Sequence, residues 1–297
     1  MKKIIKILLA MSIISLMIVG CGQNTEKETK TDTTETTEKT EKAETTETDE
    51  KSENTFVVGM EAAYAPFNWT QVDDSNGAVQ LDGLKEYAGG YDVEIAKIIA
   101  KELGKELVVK KMEWDGLPLS ILSGKIDAVI AGMSPSDTRR EQMDFTNHYY
   151  TSDLVIVVKK GGPYENVTSI NDFNDAKITA MQNTIHYNVI DQVKGIQKME
   201  PMADFPAMRV ALEAGKIDGY ISEVPEAKSA SEANPNFTYQ KLTDGFVVDD
   251  PEQVSIAVGV AKGSDLVEKI NEILAGISEE QRSEIMDNAI KNQPAMN

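Results

Sequence analysis

Leu122-Ser123-Gly124-Lys125-Ile126-Asp127-Ala128-Val129-Ile130 returns 91 residues later (215 minus 124) as Glu213-Ala214-Gly215-Lys216-Ile217-Asp218-Gly219-Tyr220-Ile221. Each copy reads as the end of a helix, a glycine that supplies the left-handed stop, and a short strand leading into a polar loop. Gly-Lys-hydrophobic-Asp is also a common way to pass from helix to strand, so the echo takes its weight from its surroundings. Around both copies short β-rich runs alternate with amphipathic helical patterns, which is the signature of α/β architecture with crossover connections. A repeated unit of this kind predicts two similar lobes.

Upstream of the first copy, Phe56-Val57-Val58-Gly59-Met60 reads as a strand. Asp92 is then expected to cap a helix whose apolar positions Val93, Ala96, Ile99, Ala100 and Leu103 recur at helical spacing, with Gly104 as its stop. Residues 106–112 form the next strand, 115–123 the next helix and 126–131 the third strand. Between the two copies, 154–158 looks like an extended connection, and 254–260 looks like a second one running back. Two crossings make a hinge, so lobe 1 is expected at 55–153 plus 254–297 and lobe 2 at 157–250, with C-terminal helices over 265–291 packing on lobe 1.

The N-terminal end reads as an export signal. Lys2, Lys3 and Lys6 form a basic region, and the thirteen residues from Ile7 to Val19 are apolar, fewer than the ~20 needed to cross a bilayer core. Residues 1–20 are therefore expected to be a removable signal peptide. Cys21 is the only cysteine, so no internal disulfide is possible. Residues 22–54 are almost wholly Thr, Glu and Lys and lack the apolar surface to repay ordering, so this stretch is expected to be a disordered tether. Flexible-chain scaling of about 5–6 Å × √n gives it a root-mean-square reach of roughly 30 Å. The formal charge of −19 argues against nucleic acid or anionic lipid as a partner.

The polar loops after the two copies carry the chemistry. Gly132, Ser134 and Arg139 follow the first, and Ser222-Glu223 follow the second. An α-amino acid is a zwitterion, so a specific site must offer cationic and N–H donors to its carboxylate and an anion to its ammonium. Loops at the C-terminal ends of strands are where open α/β sheets bind ligands, and closure of two lobes would bring this cation and this anion into one cleft. His148 and His186 lack metal-ligand spacing with each other or with cysteine, so neither a metal nor another cofactor is expected.

Several stretches in order carry a resemblance: Glu61-Ala62-Ala63-Tyr64-Ala65-Pro66-Phe67, Gly90-Tyr91-Asp92-Val93, Trp114-Asp115-Gly116-Leu117, the run from Gly132 to Tyr150, and Asp218-Gly219-Tyr220-Ile221-Ser222-Glu223. Over about 200 residues the chain resembles the solute-binding proteins of polar amino acid ABC transporters, the family of the lysine/arginine/ornithine, histidine and glutamine receptors. The resemblance implies a two-lobed periplasmic-binding-protein type II clamshell with a two-segment hinge. It implies that Arg139 pairs bidentately with the ligand carboxylate, helped by Ser134, Thr184 and the backbone N–H of Ile185. It gives the ammonium to Glu223, the carbonyl of Gly132 and Ser134, and the ligand's side chain to Glu61 with an aromatic sandwich of Tyr64 and Trp114. This chain has glutamate at 223 where the better-known receptors have aspartate, and Asn183 where they usually have glycine.

An aromatic sandwich with a carboxylate favours a guanidinium or ammonium side chain. A basic amino acid such as arginine or lysine is the preferred ligand, and glutamine is close behind. A lone cysteine ending a signal peptide resembles the lipobox of bacterial lipoproteins, which implies a diacylglycerol on Cys21 and anchoring at the outer side of the cell membrane. The partners implied are an ABC permease and its ATPase subunit, and a monomer is expected. Because the chain holds no Gly-x-x-x-x-Gly-Lys phosphate loop, the energy must come from another polypeptide. Two other readings share the fold: an enzyme similar to cyclohexadienyl dehydratase, with Glu223 as its acid, and a sensor or adhesion lipoprotein. No nucleophile–base pair stands out, so the chain is expected not to be an enzyme.

Overall fold

The protein is described by a computed structural model over residues 53–294; the expected signal peptide, Cys21 and most of the expected tether lie outside the described residues. β1 (Thr55–Met60) leads into a small antiparallel sheet of β2 (Ala63–Tyr64), β3 (Asn68–Gln71), β4 (Val79–Gln80) and β5 (Tyr87–Gly89). α1 (Tyr91–Glu102) buries Val93, Ile95, Ala96, Ile99 and Ala100 along one stripe, and Gly104 ends that turn at φ 68. β6 (Glu106–Lys111), α2 (Leu117–Leu122), β7 (Ala128–Val129), α3 (Asp137–Gln142) and β8 (Met143–Thr151) follow.

The chain then enters the second lobe through β9 (Leu154–Lys159), β10 (Lys177–Thr179), α4 (Ile185–Asn188), β11 (Gln197–Lys198), α5 (Phe205–Glu213), β12 (Gly219–Glu223), α6 (Val224–Ala233) and β13 (Phe237–Gln240). It returns to the first through β14 (Ser255–Ala261), α7 (Leu266–Ala275) and α8 (Glu279–Asn292).

The two main sheets have one layout. The first runs β6-β1-β7-β14-β8 and the second β11-β10-β12-β9-β13. In each the first three strands are parallel and the last two join antiparallel. In each the chain goes from the second-position strand to the edge and then jumps to the third, which leaves a topological switch point beside the second-position strand. The sequence echo is structural in detail. Gly124 and Gly215 sit at φ 70 and φ 67. Asp127 accepts from the Val57 N–H and Asp218 from the Lys177 N–H, both at 2.8 Å, so each aspartate ties its strand to the neighbouring one at the same step.

Four expectations change. The segments expected at 154–158 and 254–260 as connections are strands inside the sheets, each paired on both sides as β9 and β14, so the crossings are shorter. They lie side by side, with the Ser152 N–H donating to the Val254 carbonyl at 3.3 Å and the Thr151 hydroxyl to that of Ser255 at 2.9 Å. Asp92 does not cap α1. Gly90 is its N-cap, at φ 121, where a Cβ would lie 2.3 Å from the Phe67 carbonyl oxygen, and the Asp92 side chain turns into the core. The helix expected over 115–123 divides into a 3-10 turn at Trp114–Gly116 and α2, because Pro118 is tolerated only in a first helical turn. The third strand shortens to two paired residues.

Candidate functional site

The switch points of the two sheets face each other across one cleft. The turn after β1 delivers Glu61 and β2 delivers Tyr64, the loop after β7 and α3 deliver Gly132, Ser134 and Arg139, the loop after β10 leads through Thr184 to Ile185 at the start of α4, and β12 ends in Glu223. Of the residues singled out from sequence, Tyr64, Trp114, Gly132, Ser134, Arg139, Thr184, Ile185 and Glu223 line one cavity. Glu61 is buried nearby, 7 % exposed, but does not line it.

Arg139 stands on the short helix α3, whose start is fixed by the Ser136 hydroxyl accepting from the Arg139 N–H. Its guanidinium donates to the Ser134 carbonyl at 2.7 Å and across the cleft to the Asn183 carbonyl at 2.8 Å. It also lies 5.1 Å from the centre of the Trp114 ring, within cation–π range. Burial pulls its pKa down to about 10 while Asp115 resists, so it stays cationic at neutral pH. Asn183 takes φ 55, the left-handed conformation that the family's glycine would supply, and its amide donates to Asp115 at 2.9 Å.

At the other end, Glu223 is 9 % exposed and accepts from the Tyr64 hydroxyl, which reaches it from the opposite lobe. His186 Nε2 lies 3.3 Å from its other oxygen, and His186 Nδ1 lies 3.3 Å from the Thr184 hydroxyl. The Thr184 hydroxyl donates to the Met181 carbonyl at 2.7 Å. Gly132, at φ 63, has the Tyr64 ring so close that a Cβ would stand 2.4 Å from Cε1, so only glycine fits.

The aromatic arrangement differs from the expected Tyr64–Trp114 sandwich. Tyr64 stacks on Phe205 of the second lobe, centroids 4.6 Å apart and planes 5° from parallel, while Trp114 carries the Arg139 guanidinium. Phe205 and His186 are cavity residues that sequence reading missed. The available signals were the Asp204-Phe205-Pro206 helix start, with Asp204 as N-cap, and the position of His186 two residues past Thr184. Phe67, Trp69 and Tyr149 are buried in the core.

Glu61 has an unusual environment. Burial, followed by repulsion from Asp204 and Glu113, raises its carboxyl to about 8, and only Lys111 acts against this. At neutral pH it is therefore mostly protonated.

These donors and acceptors form a charge-paired cleft: a guanidinium from one lobe and a carboxylate from the other. Among the described residues no cluster of three or more His, Cys, Asp or Glu could hold a metal, and no helix is long and apolar enough to cross a membrane. The family model of bacterial extracellular solute-binding proteins, family 3, matches residues 56–291. The chain belongs to that family.

A probable histidine-binding protein of Campylobacter jejuni is 30 % identical over 238 residues, covering 80 % of this chain and 84 % of that one. An arginine-binding extracellular protein of Bacillus subtilis is 26 % identical over 227 residues, covering 73 % and 78 %. Among solved structures, an amino acid ABC transporter substrate-binding protein of Streptococcus pneumoniae bound to L-arginine superposes with a TM-score of 0.68 at 29 % identity, covering 80 % of this chain and 95 % of its own. The fold is thus the two-lobed clamshell that the sequence resemblance implied. The comparisons support a solute-binding protein of a transporter over a dehydratase-like enzyme.

Proposed function

We propose that this chain captures a basic L-amino acid, arginine foremost, with lysine next and glutamine as the nearest competitor, and hands it to an ABC importer. The observation that carries this is the placement of Arg139 and Glu223 from opposite lobes on one cavity, a cation and an anion to meet the two ends of a zwitterion. Arg139 and Ser134, with Thr184 and the Ile185 backbone, hold the carboxylate. Glu223, Ser134 and the Gly132 carbonyl hold the ammonium. Glu61, Tyr64 and Trp114 receive the side chain, with Phe205 behind Tyr64. In this reading Tyr64 and Asn183 occupy ligand-facing groups only while the cleft is empty, and they give way on binding.

Arginine is favoured because Asp204, Glu113 and Asp115 make the region around Glu61 negative against one Lys111, and a ligand cation lets Glu61 ionise as well. The relatives named for arginine and histidine support a cationic ligand. The lobes divide at 55–153 plus 254–297 and 157–250. Residues 1–20 are a signal peptide, Cys21 carries lipid, and residues 22–54 tether a monomer to the outer side of the cell membrane beside a permease and its ATPase. The cleft binds and releases without chemistry.

A thermal-shift screen of the purified protein against the standard amino acids tests this. Arginine and lysine should raise the transition most, since a ligand at 100 times its Kd adds about 2.7 kcal/mol. No shift with any amino acid, or recovery of a chemically altered one, contradicts the proposal.

A further inference from the structure

The Gly90-Tyr91-Asp92-Val93 stretch holds a carboxylate that neither the fold nor the ligand contacts account for. Asp92 is 0 % exposed. A buried carboxylate is expensive unless it is paired, yet the groups that act on it most strongly are Tyr149, Asn68, Glu223 and Gly132, none of them a cation. Burial raises it to about 6, held there against hydrogen bonds from Tyr149 and Asn68. An apolar side chain in its place would be easier to bury.

Its hydrogen bonds lead to the site. Asp92 Oδ2 accepts from the Asn68 amide at 2.8 Å and Oδ1 from the Tyr149 hydroxyl at 2.7 Å. The Tyr149 hydroxyl accepts from the Gly132 N–H at 3.2 Å. A carboxylate can only accept, so the single Tyr149 proton is committed to Asp92 and the lone pairs of its oxygen are left for Gly132. The negative charge polarises the whole chain and strengthens that last bond.

Tyr149 is itself fixed, its carbonyl accepting from Tyr91 at 2.9 Å and Arg282 at 2.7 Å. Gly132 is therefore held between the Tyr149 hydroxyl on one side and the Tyr64 ring on the other. Asp92 and Glu223 repel across this loop, a repulsion that a ligand ammonium would relieve.

We propose that Asp92 is a positioning residue of the amino acid site: through Tyr149 it fixes the loop carrying Gly132, and its charge supports the ligand's ammonium. This rests on the reading that an α-amino acid binds here. It assigns Asp92 to the end common to all amino acids, so it governs affinity and leaves selectivity alone.

The test uses Asp92→Asn and Tyr149→Phe in the full chain, labelled for amide NMR. Without ligand, both variants should speed hydrogen exchange at Gly132. The Gly132 amide signal of the unaltered protein should titrate near pH 6 with Asp92 and should stay flat in Asp92→Asn. With ligand, each variant should weaken L-arginine and L-glutamine alike by about tenfold, the scale of one hydrogen bond. An unchanged Gly132 amide in Tyr149→Phe, or a loss confined to one ligand, overturns the proposal. Should the unaltered protein bind no amino acid, the functional reading falls while the amide measurements still decide the Asp92–Tyr149–Gly132 chain.

Discussion

The two lobes are built on the same plan and end in opposite charges. β7 and β12 occupy the same place in their sheets, each preceded by a left-handed glycine and an aspartate that binds the neighbouring strand at 2.8 Å. After β7 the chain makes a loop and a short helix that present Arg139, whereas after β12 it passes directly into α6 with Glu223 as the N-cap residue. The scaffold fixes where a strand ends, and the few residues beyond that end decide which charge the lobe presents to the cleft. Shared geometry and divergent loops are therefore separable, and each can be perturbed without the other.

The largest effect is expected from Arg139→Ala, which removes the first lobe's charge. Truncating one partner of a desolvated charge pair costs about 2–5 kcal/mol, so calorimetry should find binding of every amino acid weakened at least about thirtyfold. Near-normal affinity would break the comparison at its first term. Glu223→Gln removes the second lobe's charge while keeping its shape. A loss of about tenfold to a hundredfold is expected, the scale of a hydrogen bond to a charged group. Equal losses with agmatine, which has no carboxylate, would show that the two anchors act independently.

Glu61→Gln should sharpen the picture, because the proposed function gives Glu61 to the ligand's side chain instead of its zwitterionic end. The preference for arginine over glutamine should fall about tenfold, the scale of one charged hydrogen bond. The pH dependence has a definite sign. The empty-state carboxyl is raised to about 8, and a cation lowers it, so the ionised form is favoured in the complex. Arginine should therefore release a proton on binding near neutral pH, and its affinity should climb as the pH rises toward 8. Calorimetry in buffers of different ionisation enthalpy reads that proton directly; the release should be smaller with glutamine, which brings no side-chain cation for Glu61 to ionise for, and in Glu61→Gln, which lacks the carboxyl. The smallest effect belongs to Trp114→Ala, which removes the ring beneath Arg139. About 1 kcal/mol of binding should be lost with the cation–π contact, and the thermal transition should also fall, since Trp114 is buried in the core.

What could be read from sequence follows the range of the interactions. Gly124, Gly215, Asp127 and Asp218 act within a helix-to-strand turn, and local spacing disclosed them. Arg139 and Glu223 were singled out because chemistry demanded a matched pair and each followed a copy of the repeat, and they line one cavity. Phe205 was not, since its stacking on Tyr64 spans two lobes and 141 residues (205 minus 64), and no periodicity records such a contact. β9 and β14 read as connections because a strand's partners lie far away in sequence, and here each strand inserts into a sheet built mostly from other segments. Asp92 looked like a cap because Asp before an amphipathic run usually is one; the tight packing of Gly90 on Phe67 moved the cap back and turned the carboxylate inward.

A crystal structure of the complex with L-arginine tests the central claim most directly. It should place the ligand carboxylate on the Arg139 guanidinium, the α-ammonium on Glu223 with the Tyr64 hydroxyl displaced, and the ligand guanidinium toward Glu61. A ligand bound in the reverse sense, or seated on one lobe without touching the other, would contradict the account.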